Sequence, residues 1–414
     1  MDIDVRPSED AAKFLATDQL VWFNEVTNAD ADHLRLGLPE DQRFVVDLPD
    51  GPDDLHSGIY GVRPMELSLP GGGALAPIAG LTWVGVHPDM RRRGVLAAMM
   101  TDHLARTHDA GLAISALHAS EHKIYGRYGY GMAALQLQAT LGRGTTFTAP
   151  HLEDEAASIT TQLVTMSHDG VPERMRACQS SLAAAFPGTI VGSPDYFSLM
   201  ALEPAEALRD KEPRRVLFAR RDGEDVGFVG LRREHKWDHA RPSGTVSVGT
   251  FCGAPAARLA LARRVVDLDL MGTTKLENIG ADDPLLGWIG GPRATGDLQT
   301  WDSTWVRLVD LEAAWPLRSY EDDCDVVVEV NDRYAPWNAA RWRLTAAGGE
   351  GKAHRTDEGP HITLDVNILG AGFLGRGIGA LLRAGLVREH RDGAYVALAR
   401  AMRTLVEPEP SIGF

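Results

Sequence analysis

The sequence predicts an α/β fold with mixed sheets, because strand and helix patterns alternate along most of its length. Residues 75–86 are uncharged and largely apolar, which is typical of a buried strand. Apolar residues at helical spacing then predict a helix from about Met90 to Leu104, and residues 113–117 predict a second strand. A short helix over residues 124–130 follows. Consecutive strand, helix and strand segments of this kind form a unit with parallel strands.

The middle of the chain repeats this plan. Residues 215–219 and 226–231 are strand-like and flank Asp222-Gly223, a strong signal for a β-hairpin. A strand over residues 245–251 and a helix over residues 255–266 come next. This succession predicts a second copy of the first fold.

From about Trp301 the pattern changes to short strands and terminal helices. The predicted strands are residues 305–308, 326–330, 342–345 and 362–368, with a polar hairpin-like loop over 348–359 and helices over 378–387 and 394–406. Glu407-Pro408-Glu409-Pro410 then ends the last helix, because proline cannot continue it. We therefore expect three domains, over residues 1–150, 151–299 and 300–414.

Composition narrows the possible partners. The chain has 414 residues, of which 44% are hydrophobic and 24% charged, and this excludes a fibrous or wholly disordered protein. Its 42 basic and 57 acidic side chains give a formal net charge of −15. That balance argues against nucleic acid and anionic membranes as partners and favours a cationic one.

The cysteines and the apolar segments indicate the compartment. Cys178, Cys252 and Cys324 are far apart, which predicts neither a zinc ribbon nor a disulfide framework and favours the reducing cytoplasm. The first twenty residues contain early acidic side chains and no continuous apolar core, so we expect no signal peptide. Residues 67–86 are uncharged, but prolines and glycines interrupt them. Two strands and a turn are therefore predicted there, and no membrane span.

A basic cluster stands where the first predicted strand ends and the first helix begins. The segment reads Val84-Gly85-Val86-His87-Pro88-Asp89-Met90-Arg91-Arg92-Arg93-Gly94-Val95-Leu96-Ala97. The free N–H groups and positive dipole end of a helix N-terminus bind anions such as a pyrophosphate. The three arginines add charge-assisted donors, and Gly94 has no Cβ to block close approach. A merely solvated basic cluster is the alternative, but it would oppose the helix dipole.

Two further motifs suggest other chemistry. His118-Ala119-Ser120-Glu121-His122 matches the H-x-x-E-H zinc-protease pattern, which needs both histidines on one helix, whereas His118 ends a predicted strand. We expect no metal. Gly370-Ala371-Gly372-Phe373-Leu374-Gly375 matches G-x-G-x-x-G, but too little chain follows it for a dinucleotide-binding βαβ unit. A glycine-rich turn is the favoured interpretation of that segment.

A second segment, Ser120-Glu121-x-x-Ile124-Tyr125-Gly126-Arg127-Tyr128-Gly129-Tyr130-Gly131, completes a recognisable pair of motifs. Together with the basic cluster it resembles the enhanced intracellular survival (Eis) acetyltransferases of the GCN5-related N-acetyltransferase (GNAT) superfamily. The resemblance covers the whole chain. It implies two fused GNAT-like domains followed by a sterol-carrier-protein-like α+β domain. It also implies acetyl-CoA as cosubstrate, primary amines of aminoglycoside type as acceptors, and a homohexamer.

The resemblance also implies roles for individual residues. Tyr125 takes the role of general acid, and the α-carboxylate of Phe414 takes that of general base. These types suit the chemistry, because at pH 7 a phenol holds its proton and an α-carboxylate can accept one. The implied cofactor-binding residues are Val84, Gly85, Val86, Arg91, Arg92, Arg93, Gly94, Val95, Leu96, Ala97, Ser120 and Glu121.

The second predicted domain lacks the basic cluster. Where the arginines would stand, it reads Cys252-Gly253-Ala254-Pro255-Ala256-Ala257, so we expect one CoA per chain. Acidic residues that either attract a cationic acceptor or form a solvated face are Glu25, Asp30, Asp32, Glu407 and Glu409. The alternative function is a non-catalytic sensor that binds acyl-CoA or a lipid and signals to a partner.

Overall fold

The computed structural model describes residues 3–23, 30–71, 75–203, 208, 212–410 and 412–414. The fold is α/β with mixed sheets, as the sequence predicts. Within these described residues, no helix is long and apolar enough to cross a membrane.

The elements are numbered in chain order within the described residues. The strands are β1 (Arg6–Pro7), β2 (Arg43–Val46), β3 (Gly58–Leu67), β4 (Ala76–Val86), β5 (Ile114–His118), β6 (Gly131–Met132), β7 (Leu135–Gly142), β8 (Thr160–Thr165), β9 (Ile190–Val191), β10 (Arg215–Arg221), β11 (Glu224–Glu234), β12 (Trp237–Asp238), β13 (Arg241–Pro242), β14 (Gly244–Gly253), β15 (Met271–Ile279), β16 (Gly296–Asp302), β17 (Thr304–Leu308), β18 (Cys324–Asn331), β19 (Arg341–Ala347), β20 (Glu350–Arg355), β21 (Ile362–Asp365) and β22 (Val387–Glu389). The α-helices are α1 (Ala11–Trp22), α2 (Asp30–Gly37), α3 (Val95–Asp109), α4 (His122–Tyr125), α5 (Glu153–Ala157), α6 (Val171–Ala183), α7 (Pro194–Ala201), α8 (Pro255–Val266), α9 (Pro284–Trp288), α10 (Leu311–Ala314), α11 (Val366–Gly372), α12 (Ala380–Arg383) and α13 (Ala394–Met402).

The chain divides into two compact units, of which the first comprises Met1–Ala134, Thr304–Leu405 and Gly413–Phe414. Its larger sheet has the order β1-β2-β3-β4-β5-β17-β6. Strands β4 and β5 are parallel, and α3 connects them. The apolar face of α3, including Val95 and Met99, is buried in one cluster with side chains of this sheet. The smaller sheet of the unit has the order β20-β19-β18-β21-β22.

A buried arginine fixes a turn of the first unit. Arg307 on β17 is fully buried, and its guanidinium donates two hydrogen bonds of 2.6 and 2.8 Å to the carboxylate of Asp332. Its Nε donates a third, of 2.9 Å, to the carbonyl oxygen of Tyr128. Removing either partner of such a buried pair costs about 3–5 kcal/mol, because the remaining charge is left uncompensated. The hydrogen bond from Arg307 therefore fixes the backbone of the tyrosine-rich turn after α4.

The second unit comprises Leu135–Ser303 and Val406–Ile412, and its sheet has the order β16-β7-β15-β14-β11-β10-β8. The predicted hairpin is confirmed, because β10 pairs with β11 around Asp222 and Gly223, whose φ angles are 53° and 89°. Strands β14 and β15 are parallel and connected by α8, the same arrangement as β4, α3 and β5. The division into domains at residues 150 and 300 stays a prediction.

Four predicted elements of the C-terminal part are correct only in part. The segment 348–359 follows the predicted hairpin, since β19 and β20 pair antiparallel around Gly348 and Gly349, but it contains β20, a polar edge strand whose composition resembles that of a loop. The apolar segment 362–368 ends as a strand at Asp365 and continues as α11, an ambiguity that periodicity cannot resolve in so short a run. Only four residues of the segment 378–387 are α-helical. The helix predicted over 394–406 is confirmed as α13, which ends earlier than predicted, at Met402.

The glycine-rich segment has a packing role. Gly370 and Gly372 lie in α11, so the predicted turn is wrong for them, whereas Gly375 has a left-handed φ of 102°. A Cβ at Gly370 would stand 2.4 Å from the carbonyl oxygen of Val306 on β17. Glycine is needed there because the helix lies directly against the sheet.

Candidate functional site

In the larger sheet of the first unit, the pairing of β3 with β4 is irregular, and β4 separates from β5 toward its C-terminal end. The pairing of β4 with β3 shifts register around Trp83, which has a left-handed φ of 53°. Strand β4 pairs with β5 only at Ala79 and Gly80, although it continues to Val86. The C-terminal half of β4 therefore has backbone N–H and C=O groups on that edge that a ligand can bind.

The start of α3 presents unpaired backbone donors. A short 3₁₀ turn, Pro88–Met90, comes first, so the predicted helix start near Met90 is wrong. Arg92 and Gly94 then have φ angles of 62° and 90°, a left-handed conformation that interrupts helical structure, and α3 begins at Val95. No side chain caps the helix. The amides of its first turn therefore lack a partner within the helix.

Gly94 is required by its backbone angle. A Cβ at this position would approach only Ile3 among the described side chains, at 3.5 Å, so the protein itself does not crowd it. The left-handed φ nevertheless favours glycine strongly.

The three consecutive arginines have different surroundings. Arg93 donates two hydrogen bonds of 2.7 Å to the carboxylate of Asp50 and is thereby fixed to another loop. Arg91 and Arg92 are exposed and have no acidic partner within the part of the chain that the structure describes. They are therefore the two arginines available to an anion.

These elements surround a cavity of about 840 Å³ in the first unit. That volume is within the range of small-molecule sites. Its lining consists of Val21, Trp22, Phe23, Val84, Val86, Met90, Arg91, Arg92, Gly94, Val95, Leu96, Ala97, Ser120, Glu121, Ile124, Tyr125, Arg127 and Tyr128. Of the predicted cofactor-binding residues, Gly85 and Arg93 do not line it. A Cβ at Gly85 would stand 3.2 Å from Val21, so Gly85 permits close packing of β4.

Sequence reasoning missed one wall of the cavity. Trp22 and Phe23, at the end of α1, are 46% and 89% exposed. Exposed aromatic side chains beside a cavity are typical of ligand-binding surfaces. The signal that would have located them is the apolar run Leu20-Val21-Trp22-Phe23.

Tyr125 is the last residue of α4 and lines the cavity. The short helix predicted over residues 124–130 is α4 followed by a 3₁₀ turn, Gly126–Tyr128. Tyr125 is only 6% exposed, and burial, with the negative charge of Glu121, raises its pKa to about 12 against an opposing hydrogen bond with Ser120. The hydroxyl therefore keeps its proton at neutral pH and can donate it.

A buried polar network lies behind Tyr125. Ser115 donates a hydrogen bond of 2.9 Å to the carbonyl oxygen of Ala79, and it contacts the Tyr130 hydroxyl at 2.8 Å and Nε2 of His103 at 2.9 Å. Burial lowers the pKa of His103 to about 3, so its imidazole is neutral. Because Ala79 and Ser115 are paired positions of β4 and β5, this network fixes the point at which the two strands part.

Phe414 lies beside the same point. Its ring is edge-on to that of His118 at the end of β5, with ring centroids 5.1 Å apart. A Cβ on Gly80 would stand 3.1 Å from the Phe414 ring, so glycine makes room for it. Phe414 is not among the residues that line the cavity described above. The structure thus places Phe414 at the point where β4 and β5 separate.

The predicted acidic attractors are only partly described. Glu25 lies outside the described residues, and so do the side chains of Asp30 and Asp32. Glu409 forms an ion pair of 3.0 Å with Arg258, which corrects the expectation that it attracts an acceptor. Among the described residues, no group of three or more His, Cys, Asp or Glu side chains is placed to hold a metal ion.

Comparison with known proteins decides the family. Residues 5–133 match the family model described as an acetyltransferase (GNAT) domain, and residues 311–413 match that of a sterol carrier protein domain. An N-acetyltransferase of Streptomyces avermitilis is 35% identical over 86% of this chain and 86% of that protein. The N-acetyltransferase Eis of Mycobacterium tuberculosis is 28% identical over 82% of this chain and 80% of that protein. The crystal structure of Eis1 from Mycobacterium abscessus matches with a TM-score of 0.82 and 29% identity, covering 99% of this chain and 100% of that one.

The chain belongs to the Eis family of N-acetyltransferases. It is therefore an acetyltransferase, and its GNAT domain implies acetyl-CoA as cosubstrate. The cavity lies within the GNAT domain, because its lining residues fall between Val21 and Tyr128. Unpaired amides at the start of α3 and the free Arg91 and Arg92 suit the pyrophosphate of CoA. The predicted succession of a GNAT fold and a sterol-carrier-like fold is confirmed.

Proposed function

We propose that this Eis-family enzyme transfers the acetyl group of acetyl-CoA to primary amines of cationic, aminoglycoside-type acceptors. The observation that carries the proposal is the convergence of anion-binding groups and a protonated tyrosine on one cavity of the first unit. The net charge of −15 and the Eis resemblance support a cationic acceptor.

The start of α3 and the free arginines bind the donor. The amides of Val95, Leu96 and Ala97 hold the pyrophosphate, and Arg91 and Arg92 add charged donors beside it. Hydrogen bonds to charged groups contribute about 1.5–3 kcal/mol each. Arg93 has a supporting role, because its ion pair with Asp50 anchors the loop from which its two neighbours project. The pantetheine arm runs along Val84 and Val86.

Two proton movements accompany the acetyl transfer. The amine nitrogen attacks the thioester carbonyl carbon, whose oxygen a backbone N–H group of β4 polarises. As the carbon–sulfur bond breaks, the Tyr125 hydroxyl donates its proton to the leaving thiolate, and CoA departs as the thiol. The α-carboxylate of Phe414 accepts the proton that the amine loses. The Phe414 carboxyl then releases its proton to solvent, and solvent reprotonates Tyr125, whose high pKa favours its neutral form.

The place of Phe414 supports its proposed role as general base. Its ring contacts His118 and lies over Gly80, where β4 and β5 part. A ring held in this way restrains the carboxylate attached to the same residue. We further propose a homohexamer, as the resemblance implies, a location in the cytoplasm, as the three distant cysteines indicate, and three domains over residues 1–150, 151–299 and 300–414.

A direct assay tests the proposed substrate class. The full chain is incubated with acetyl-CoA and, separately, with several aminoglycosides, a simple arylamine and a lysine peptide. Mass spectrometry is expected to show addition of one or more acetyl groups to the aminoglycosides, with matching release of CoA thiol. Acetylation of the arylamine or peptide alone would refute the acceptor class and leave the N-acetyltransferase activity intact.

A further inference from the structure

The segment that bears Tyr125 is too short to hold its own position. Helix α4 has four residues, which is about one turn, and no side chain caps its N-terminus. Helices of this length are not stable in isolation, so contacts with the rest of the fold must hold them. The 3₁₀ turn Gly126–Tyr128 continues from α4, and the Tyr130 amide donates a hydrogen bond of 3.3 Å to the carbonyl oxygen of Tyr125. Because the helix and the turn are linked in this way, a displacement of the turn also displaces Tyr125.

Tyr128 makes two contacts that anchor this turn within the first unit. Its carbonyl oxygen accepts a hydrogen bond of 2.9 Å from Nε of the buried Arg307 on β17. Its ring lies against that of Tyr334, which follows β18, with ring centroids 4.7 Å apart and ring planes inclined by 58°. The backbone and the side chain of Tyr128 are therefore held by two different elements.

Asp332 connects the two anchors. Its carboxylate accepts the two hydrogen bonds from Arg307, and its Oδ1 also accepts hydrogen bonds from the backbone amides of Tyr334, at 3.3 Å, and Ala335, at 3.0 Å. An aspartate that accepts from the amides two and three residues on fixes the backbone of a turn. The backbone of Tyr334 is thus fixed relative to the arginine that holds Tyr128, because one carboxylate binds both.

Tyr334 does not itself reach the donor cavity. Tyr128 is among the residues that line the cavity of about 840 Å³, and Tyr334 is not. Tyr334 is half-buried and packs against the cluster of buried side chains that contains Tyr125 and Tyr128. A residue in this place acts on the reaction only through the residues that it supports.

We infer that Tyr334 is a positioning residue, whose ring supports Tyr128 and thereby holds the hydroxyl of Tyr125 in place for proton transfer. The inference rests on the proposed role of Tyr125 as general acid. Removal of the Tyr334 ring leaves a space beside Tyr128, into which the turn relaxes, and Tyr125 moves with it. A misplacement near 1 Å lowers a rate by up to about 100-fold, so even a small relaxation is measurable.

A double-mutant cycle in the full chain tests the inference. We expect Tyr334→Ala to lower kcat by about 10-fold, within the range that such a misplacement produces, while the KM for acetyl-CoA stays unchanged. Tyr334→Phe keeps the ring contact and most of kcat. In a chain that already carries Tyr125→Phe, Tyr334→Ala lowers kcat no further, because the hydroxyl that it would displace is absent. A purely structural loss would instead lower kcat by the same factor in both backgrounds.

Trp337→Ala is the matched control. Trp337 lies three residues beyond Tyr334, is also half-buried, and does not line the cavity. Its ring lies against that of His108, with centroids 4.4 Å apart, so the substitution removes a comparable aromatic contact and leaves kcat unchanged. Thermal melts confirm that each variant is folded. Tyr334→Leu, which keeps apolar volume without the ring, takes the place of Tyr334→Ala if the alanine variant is not folded.

A second readout follows Tyr125 without any need for activity. The chain contains eight tyrosines, so labelling with fluorotyrosine gives few resonances in fluorine NMR, and Tyr125→Phe identifies the resonance of Tyr125. We expect Tyr334→Ala to shift this resonance. Tyr334→Phe and Trp337→Ala leave it in place.

The outcomes separate the two proposals. An unmoved Tyr125 resonance in Tyr334→Ala would overturn the inference. So would an equal fall of kcat in both backgrounds, or a change confined to the KM for acetyl-CoA. If the wild type transfers no acetyl group to any amine, or if Tyr125→Phe has near-normal kcat, the proposed function or its general acid fails. The Tyr125 resonance alone then still decides whether Tyr334 holds that tyrosine in place.

Discussion

Replacing Tyr125 by phenylalanine removes one hydroxyl from the candidate site and leaves its shape intact. The ring is 6% exposed and lies edge-on to Tyr130 with centroids 6.1 Å apart, contacts that phenylalanine also makes. The lost hydrogen bond with Ser120 lowers the free energy of unfolding by about 1 kcal/mol. A general acid contributes about 10²–10⁴-fold, or about 3–5 kcal/mol of barrier, so we expect kcat to fall within that range.

The assay is thiol release at saturating acetyl-CoA over a range of pH. Because the pKa of Tyr125 is about 12, above the ordinary value for tyrosine, the hydroxyl stays protonated and kcat shows no alkaline decline from this group below about pH 11. For the same reason, its contribution to stability is fully present below about pH 10 and is lost as pH rises through about 12. Tyr395→Phe is the matched control, since that buried hydroxyl donates a hydrogen bond to the carbonyl oxygen of Ile378 and does not line the cavity. Near-normal kcat in the Tyr125→Phe enzyme would show that Tyr125 is not the proton donor and would assign that role to Tyr128 or to water.

Two further predictions concern the donor and the end of the chain. Arg92→Ala is expected to weaken acetyl-CoA binding by about 1.5–3 kcal/mol in calorimetric titration. Arg93→Ala has a smaller effect, because Arg93 binds Asp50, and equal losses would contradict the division of roles among the arginines. Two residues added after Phe414 move the carboxylate by as much as about 7 Å, and a displacement near 1 Å already has a large effect, so the extension should nearly abolish turnover while acetyl-CoA still binds. Protease removal of the extension restores activity, whereas full activity in the extended chain would assign the base to another group such as His118 or Glu121.

Local signals in the sequence predicted the elements that carry the site. Neighbouring residues determine three of these features: the uncharged strand β4, the basic cluster before α3 and the Asp222-Gly223 hairpin. The local determinant is, for example, a helix start or a left-handed turn. The helix α8 has the predicted bounds because Pro255 suits its first turn. The family, by contrast, came from the combination of two motifs, since neither strand nor helix patterns distinguish one α/β enzyme from another.

Long-range pairing accounts for most of what sequence reasoning missed. Arg91, Arg92 and Arg93 are equivalent by sequence, and only the folded chain shows that Asp50 engages the third. Glu409 is 151 residues from Arg258, so nothing local to either predicts their ion pair. The segment 305–308 was predicted correctly as a strand, yet its place beside β5 depends on a chain reversal that no turn signal encodes.

The number of CoA molecules per chain follows from comparing the two units. The sequence gives one reason for a single site, because residues 252–257 contain no arginine. The structure gives a stronger one: in the second unit, residues of the C-terminal tail, Glu409, Pro410 and Ile412, leave a pocket of about 40 Å³, and Arg258 is engaged by Glu409 and Asp283. Donor binding there would have to displace Ile412 and break that ion pair, while the first unit offers amides and two arginines that need no such release. Calorimetric titration with CoA should therefore saturate at one molecule per chain. A second molecule bound with comparable affinity would mean that the tail leaves this pocket readily, and would contradict the single donor site.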